Sequence, residues 1–71
     1  MDALQQELIA VGASVTANCV PCLKFHLAKA RDAGATEAQL GEAIRIGRKV
    51  RAGAAQAWDE EAAKLFPEPK P

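Results

Sequence analysis

The stretch that organises the chain is NCVPCLKFH, residues 18–26. It holds both cysteines and the only histidine of the 71 residues. Pro21 fits a helix only in the first turn, where its missing N–H would have had no partner. Asn18 is a good N-cap, so a helix is predicted to begin here. The stretch therefore predicts a junction between two helices, with the candidate chemistry gathered at that junction.

The helix before this junction has its own start signal. Asp2 is a predicted N-cap, and Gln5 three residues later completes a capping box. An apolar stripe follows at helical spacing and predicts a helix that ends near Thr16; its residues are Leu4, Leu8, Val11 and Val15. The helix after the junction is expected to stop at Gly34, a residue typical of helix C-termini.

A third helix is predicted from a second capping box, formed by Thr36 and Gln39. Apolar residues keep a helical period from there to Leu65, which predicts one helix of up to about 30 residues. Gly47 and Gly53 lie inside it and are expected to allow close approach of another helix, with a break near Gly53 as the alternative. No stretch alternates apolar and polar residues as a half-buried strand does.

The sequence therefore predicts an all-α fold, a helical hairpin with a long third helix. Residues 1–66 are expected to form a single domain, and residues 67–71 a disordered, proline-rich tail. Nine basic and nine acidic residues cancel, which argues against a nucleic-acid or membrane-surface partner. The chain shows neither a secretory signal nor an apolar run of about 18 to 20 residues, so a soluble, cytoplasmic protein is expected.

The two cysteines are placed for redox chemistry. Cys19 and Cys22 at helical spacing have Cα atoms roughly 5 to 5.5 Å apart, within the range of a disulfide. The helix N-terminus favours the thiolate, which is the reactive form. His26 follows Cys22 by four residues and shares its helix face. Glu7 borders the apolar stripe of the first helix, so in a hairpin it could meet His26 and complete a Glu–His–Cys relay.

Other interpretations of these residues stay open at this point. Taken singly, a CxxC can be accidental, and His26 or Glu7 can be an ordinary helix residue. A metal site at Cys19, Cys22 and His26 would need its fourth ligand from a neighbouring subunit, because structural zinc takes four. A non-enzymatic alternative is a small oligomeric module that senses oxidation or binds a partner through its CxxC.

The combined pattern resembles the AhpD-like alkylhydroperoxidases of the carboxymuconolactone decarboxylase superfamily. The family motif is a glutamate, eleven residues, CxxC, three residues and a histidine, and the chain matches it at Glu7, Cys19, Cys22 and His26. The segment AGATE, residues 33–37, also looks like the family's turn into the next helix. The resemblance covers roughly residues 4 to 54, and its motif is specific because four reactive residue types stand at fixed offsets.

The resemblance implies an all-α fold that assembles as trimers or hexamers and a peroxiredoxin-type, thiol-dependent reduction of small hydroperoxides or disulfides. It implies that Cys22 attacks the peroxide, that Cys19 resolves the sulfenic acid to a disulfide, and that His26 and Glu7 relay protons. Electrons would come from an external thiol or dithiol, with no bound cofactor or metal. Some relatives carry a second histidine just before the second cysteine, where this chain has Pro21.

Overall fold

The computed structural model describes residues 1–67, which form three α-helices and, within that range, no strand. Helix α1 spans Ala3–Thr16, α2 spans Val20–Asp32, and α3 spans Glu37–Leu65. The predicted all-α fold is confirmed. Of the predicted tail, only Pro67 belongs to the described residues, and it follows the last helix; residues 68–71 lie outside them. No helix in the described part of the chain is long and apolar enough to cross a membrane.

Both predicted capping boxes are present. The Asp2 carboxylate accepts the backbone N–H of Gln5 at 2.8 Å, and the Gln5 side chain accepts the N–H of Asp2 at 3.0 Å. Thr36 and Gln39 form the same reciprocal pair at the start of α3, with distances of 3.1 and 2.9 Å. Each pair satisfies backbone donors that have no partner inside the helix. Two of the three helix starts are therefore fixed by a capping box.

Asn18 does not cap α2, and that prediction is wrong. Its φ of 55° is left-handed, and the N–H groups of Asn18 and Cys19 donate to the carbonyls of Val15 and Ser14. This pattern is the Schellman motif that closes a helix C-terminus. Asparagine suits both a helix start and a left-handed residue, and here the second role prevails. Cys19 is the N-cap of α2 instead.

The turn from α2 to α3 repeats this motif. Gly34 has a φ of 100°, and the N–H groups of Gly34 and Ala35 donate to the carbonyls of Arg31 and Ala30. Glycine adopts this backbone conformation without a steric cost. The Arg31 guanidinium then reaches across the turn to Glu37 with two hydrogen bonds of 3.0 and 3.2 Å. These hydrogen bonds, with the charge attraction, lower the pKa of the Glu37 carboxyl below its ordinary value.

Helix α1 is the central element, because it packs against both α2 and α3 while those two scarcely touch. Each helix contributes one residue to the core: Val11, Ala30 and Leu40 are all at most 2% exposed. Burying a side chain such as Leu40 stabilises the fold by about 1.5–3 kcal/mol. Partly buried apolar residues surround these three, namely Leu8, Leu23, Leu27, Ala35, Ala43 and Ile44.

Close contact between α1 and α3 depends on Gly47. A Cβ atom added there would lie 2.5 Å from the Gly12 carbonyl oxygen and 2.9 Å from the Val15 Cβ. The Thr16 hydroxyl donates across the same contact to the Gly47 carbonyl at 3.1 Å. Close approach at Gly47 is therefore confirmed. Close approach at Gly53 is wrong, since a Cβ added there would meet no atom within 4 Å.

Helix α3 is continuous for 29 residues, so the predicted long helix is present and the break near Gly53 is not. Contacts advance in the same direction along α1 and α3, from Gly12 with Ala43 to Val15 with Arg51. Because α1 ends at Thr16, it cannot cover the rest of α3. The apolar stripe of α3 consequently continues into solvent, where Trp58 and Leu65 are 71% and 87% exposed.

Candidate functional site

The two cysteines form a disulfide at the junction between α1 and α2. Their Cα atoms are 5.2 Å apart, as the helical spacing predicts. The Cys19 sulfur also accepts the backbone N–H of Cys22 at 3.2 Å, so a sulfur takes the place of the oxygen in an ordinary N-cap. Pro21 lies in the first turn, where a missing N–H leaves no hydrogen bond unmade. The pair can therefore change redox state within a turn that the backbone already fixes.

The two sulfur-bearing residues differ in their exposure. Cys22 is exposed, whereas Cys19 is partly buried against the end of α1. A hydrogen bond from a backbone N–H at the positive end of a helix stabilises a thiolate. The Cys22 N–H is placed to do this for Cys19 once the disulfide opens.

Glu7 and His26 are brought together by the hairpin. The His26 Nδ1 atom lies 2.7 Å from Glu7 Oε2, and the two side chains are 30% and 19% exposed. A carboxylate has no proton to donate, so with ionised Glu7 the Nδ1 atom carries the proton. Nε2 is then the basic nitrogen of the ring. The contact holds the imidazole in one orientation, as in other carboxylate–histidine pairs.

Phe25 covers one side of the histidine. Its ring meets the His26 ring edge-on, with centroids 5.0 Å apart and an angle of 86°. The Lys29 ammonium lies 5.7 Å from the centre of the Phe25 ring, within the range of a cation–π contact. Together with Glu7, these neighbours leave the imidazole partly accessible and limit its freedom to turn.

The four residues of the predicted site form two separate pairs, one at the start of α2 and one between α1 and the second turn of α2. Cys19 bonds to Cys22 and His26 bonds to Glu7. Among the described residues, no hydrogen bond connects His26 to either sulfur. Since Cys22 and His26 stand one helical turn apart, the two pairs lie on the same side of α2.

A pocket beside the disulfide contains residues that the sequence prediction missed. It has a volume of about 250 Å³ and lies where Cys19, the end of α1 and one side of α3 meet. Arg48 and Arg51 from α3 line it. A signal for them exists in the sequence, because Arg45, Arg48 and Arg51 recur every three residues and residues 43–58 contain no acidic residue. The net charge of zero does not reveal this local excess of positive charge on α3.

In the part of the chain that the structure describes, no group of three His, Cys, Asp or Glu side chains is arranged to hold a metal ion. In the disulfide the two sulfurs are bonded to each other, whereas a metal would need them as thiolates.

Comparison with known proteins gives a family and a relative. The model of the carboxymuconolactone decarboxylase family matches residues 1–65. A protein of Paracoccus denitrificans, described as uncharacterized protein 4 in the cox locus, is 37% identical over 68 residues. That match covers 96% of this chain and 61% of the relative, so the chain spans less than two thirds of the relative's length. No solved structure matches the chain significantly.

Proposed function

The chain belongs to the carboxymuconolactone decarboxylase family, and from this premise we propose that it is a thiol-dependent oxidoreductase that reduces peroxides or disulfides. The observation that carries the proposal is the Cys19–Cys22 disulfide one helical turn from the Glu7–His26 pair. The disulfide can store two electrons when it is reduced, and the pair offers a positioned base. Thiol redox chemistry needs both a thiolate and a route for its proton.

The proposed cycle with a peroxide begins at Cys22, the more exposed cysteine. Its thiolate attacks one peroxide oxygen, the O–O bond breaks, the alcohol leaves with a proton, and Cys22 becomes a sulfenic acid. The Cys19 thiol then attacks this sulfur, which forms the disulfide and releases water. Two equivalents of an external thiol reduce the disulfide and leave as their own disulfide. No bound cofactor takes part in this cycle.

His26 is assigned the proton transfers at Cys22. Its Nε2 atom would take the thiol proton and return it to the departing alkoxide. Glu7 is a positioning residue that acts through His26, because its oxygen lies on Nδ1 rather than on a sulfur. Pro21, next to Cys22, has no side chain that can carry a proton, so we assign this role to His26, four residues after Cys22 on the same helix face.

Peroxide consumption with dithiothreitol as the donor tests the proposal. The wild type is expected to consume an organic hydroperoxide at a rate that depends on protein concentration, and Cys22→Ser is expected to lose this activity. Cys19→Ser is the matched variant: treated with the hydroperoxide in the absence of dithiothreitol, it should accumulate a sulfenic acid on Cys22 that reacts with dimedone. Equal, slow consumption by the wild type and Cys22→Ser would contradict the enzymatic proposal.

A second candidate function is a redox-responsive module that associates with copies of itself. Its association is supported by an apolar groove of about 610 Å³ between α1 and α3. Ile9, Ile46 and Val50 line the groove and are each more than half exposed. We propose that another copy of the chain covers this groove and the exposed stripe of α3, in the trimers or hexamers that the family resemblance implies.

Light scattering on the oxidised and the reduced protein separates the two candidates. A change of assembly with redox state, without peroxide consumption, favours the module. Consumption of peroxide by an assembly that does not change favours the enzyme. An Ile46→Lys variant should weaken association in either case, because a lysine side chain is costly to bury.

A further inference from the structure

We propose that Arg48 and Arg51 form a binding site for a carboxylate beside Cys19, and that the electron donor is a small thiol with such a group. The proposal rests on the function proposed above and names the class of its reductant. Cys19, Arg48 and Arg51 line one pocket, so a molecule bound there lies against a cysteine of the disulfide and two arginines together.

Arg51 is held in the pocket by the turn that carries the disulfide. Its Nη1 atom donates to the Val15 carbonyl at 3.1 Å and to the Asn18 side-chain oxygen at 2.9 Å. These two acceptors occupy one end of the guanidinium, which has five N–H donors in total. A partly buried, fixed guanidinium loses little side-chain entropy when it binds an anion.

Arg48 supplies the second positive charge. It is exposed, and it makes no hydrogen bond or ion pair with another described side chain. No acidic residue lines the pocket, whose other members are Ser14, Val15, Asn18, Val20, Leu23 and Ile44. The pocket thus combines an apolar wall with two positive groups and no acidic residue, which favours an anionic ligand.

The size of the pocket limits that ligand. Its volume of about 250 Å³ is below the range of about 300–1,000 Å³ that is usual for drug-sized ligands. A small molecule with its sulfur close to its charge therefore fits best. Guanidinium groups bind planar carboxylates through paired hydrogen bonds, which is why we assign the anion as a carboxylate.

The position of the site assigns the sulfur that is attacked. The donor thiolate attacks Cys19 Sγ, a mixed disulfide forms, the Cys19–Cys22 bond breaks, and the electron pair leaves on Cys22, which takes up a proton. A second donor thiolate then attacks the donor sulfur of the mixed disulfide. Cys19 leaves as a thiolate, stabilised by the Cys22 N–H. Two donor thiols become one disulfide, and both cysteines are reduced.

The test measures reduction of the oxidised full chain by two thiols, 3-mercaptopropionate and the neutral 2-mercaptoethanol. Each rate is divided by its thiolate concentration and by the rate of the same thiol with a small neutral disulfide. The corrected rate should be higher for mercaptopropionate in the wild type. Arg48→Gln should lower that rate by about two- to fivefold, the scale of an exposed ion pair, and should lower the mercaptoethanol rate less, because that thiol carries no carboxylate.

Arg45→Gln is the matched control, because it removes the same charge from the same helix at a residue that does not line the pocket. It should change neither rate. Arg51 is left intact, since its bonds to Val15 and Asn18 support the turn. Added salt should reduce the preference for mercaptopropionate in the wild type, because it screens exposed charges.

The proposal is overturned if the wild type shows no preference for mercaptopropionate, or if Arg48→Gln and Arg45→Gln have equal effects. The result is independent of peroxide turnover. A protein that prefers mercaptopropionate through Arg48 but consumes no peroxide would keep the carboxylate site and lose the peroxidase. A protein that consumes peroxide but reacts with mercaptopropionate independently of Arg48 would keep the peroxidase and lose the carboxylate site.

Discussion

The His26 ring and the Glu7 carboxylate lie 2.7 Å apart, although 19 positions separate them in the chain. The contact exists because the α1–α2 turn folds the two helices against each other and sets Glu7 opposite the second turn of α2. It is the side-chain hydrogen bond that joins α1 to α2 in the described residues. It lies one helical turn from the disulfide, so it can both stabilise the packing of α1 on α2 and orient His26 for proton transfer.

Glu7→Gln is expected to lower peroxide turnover by about tenfold or more. This is part of the ~10²–10⁴-fold rate increase that a positioned acid–base group typically contributes. The amide keeps the shape of the side chain but can no longer attract a protonated imidazole, and it can bind His26 in the wrong tautomer. Turnover and its pH profile are measured together, since a positioning role should alter the profile as well as the rate. Glu61→Gln, which changes an exposed carboxylate remote from the site, should alter neither; an effect of equal size there would contradict the assignment.

Asn18→Gly should leave the oxidised protein more stable to urea than Asn18→Ala by about 1 kcal/mol, because only the alanine resists a left-handed backbone. Both variants lose the hydrogen bond to Arg51, so their difference isolates the backbone effect. If alanine at this position proved as stable as glycine, the Schellman motif at the end of α1 would be in question.

Gly47→Ala and Gly53→Ala should have opposite effects on stability. At Gly47 the new methyl group would overlap the Gly12 carbonyl, and overpacking of this kind costs typically about 1–3 kcal/mol. At Gly53 the methyl group would meet nothing within 4 Å, so the better helix propensity of alanine should stabilise the helix by about 0.5–1 kcal/mol. Thermal unfolding followed by circular dichroism measures both; destabilisation by Gly53→Ala would indicate a contact there that the isolated chain lacks.

Trp58 reports on association through α3. It is the only tryptophan of the chain and is 71% exposed. If another copy covers the stripe, its fluorescence maximum should move to shorter wavelength as protein concentration rises, because the ring leaves water. Ile46→Lys, which places a charge in the groove, should keep the maximum at long wavelength over the same range. An unshifted wild-type spectrum in an assembled protein would place the interface elsewhere.

The sequence predicted those parts of the fold that depend on neighbouring residues. The capping boxes at Asp2 and Thr36 follow from side chains three residues apart, and the meeting of Glu7 with His26 follows from the hairpin. The predicted N-cap at Asn18 is wrong because asparagine suits both a helix start and a left-handed helix end, and its φ of 55° shows the second. The catalytic roles of the four site residues stay predictions.

The remaining features depend on where separate segments meet. Arg48 lines the pocket beside Cys19 because α3 passes there, and no local pattern in the sequence predicts that approach. Gly47 and Gly53 cannot be distinguished from the sequence, since both are glycines inside the same helix. They differ because α1 reaches the first and ends before the second.

Cys19 closes the C-terminal cap of α1 with its backbone and caps α2 with its sulfur. The oxidation state of the Cys19 sulfur is therefore coupled to the geometry of the end of α1 and the start of α2. By a thermodynamic cycle, the stability of the α1–α2 turn in the two redox states sets the reduction potential of the Cys19–Cys22 pair. A substitution that loosens this turn more in the oxidised state than in the reduced state makes the disulfide easier to reduce. For this two-electron couple, a change of about 1.4 kcal/mol in the free-energy difference between the two states shifts the reduction potential by about 30 mV. Residues of the α1–α2 turn that carry no sulfur can therefore also change the reduction potential of the cysteine pair.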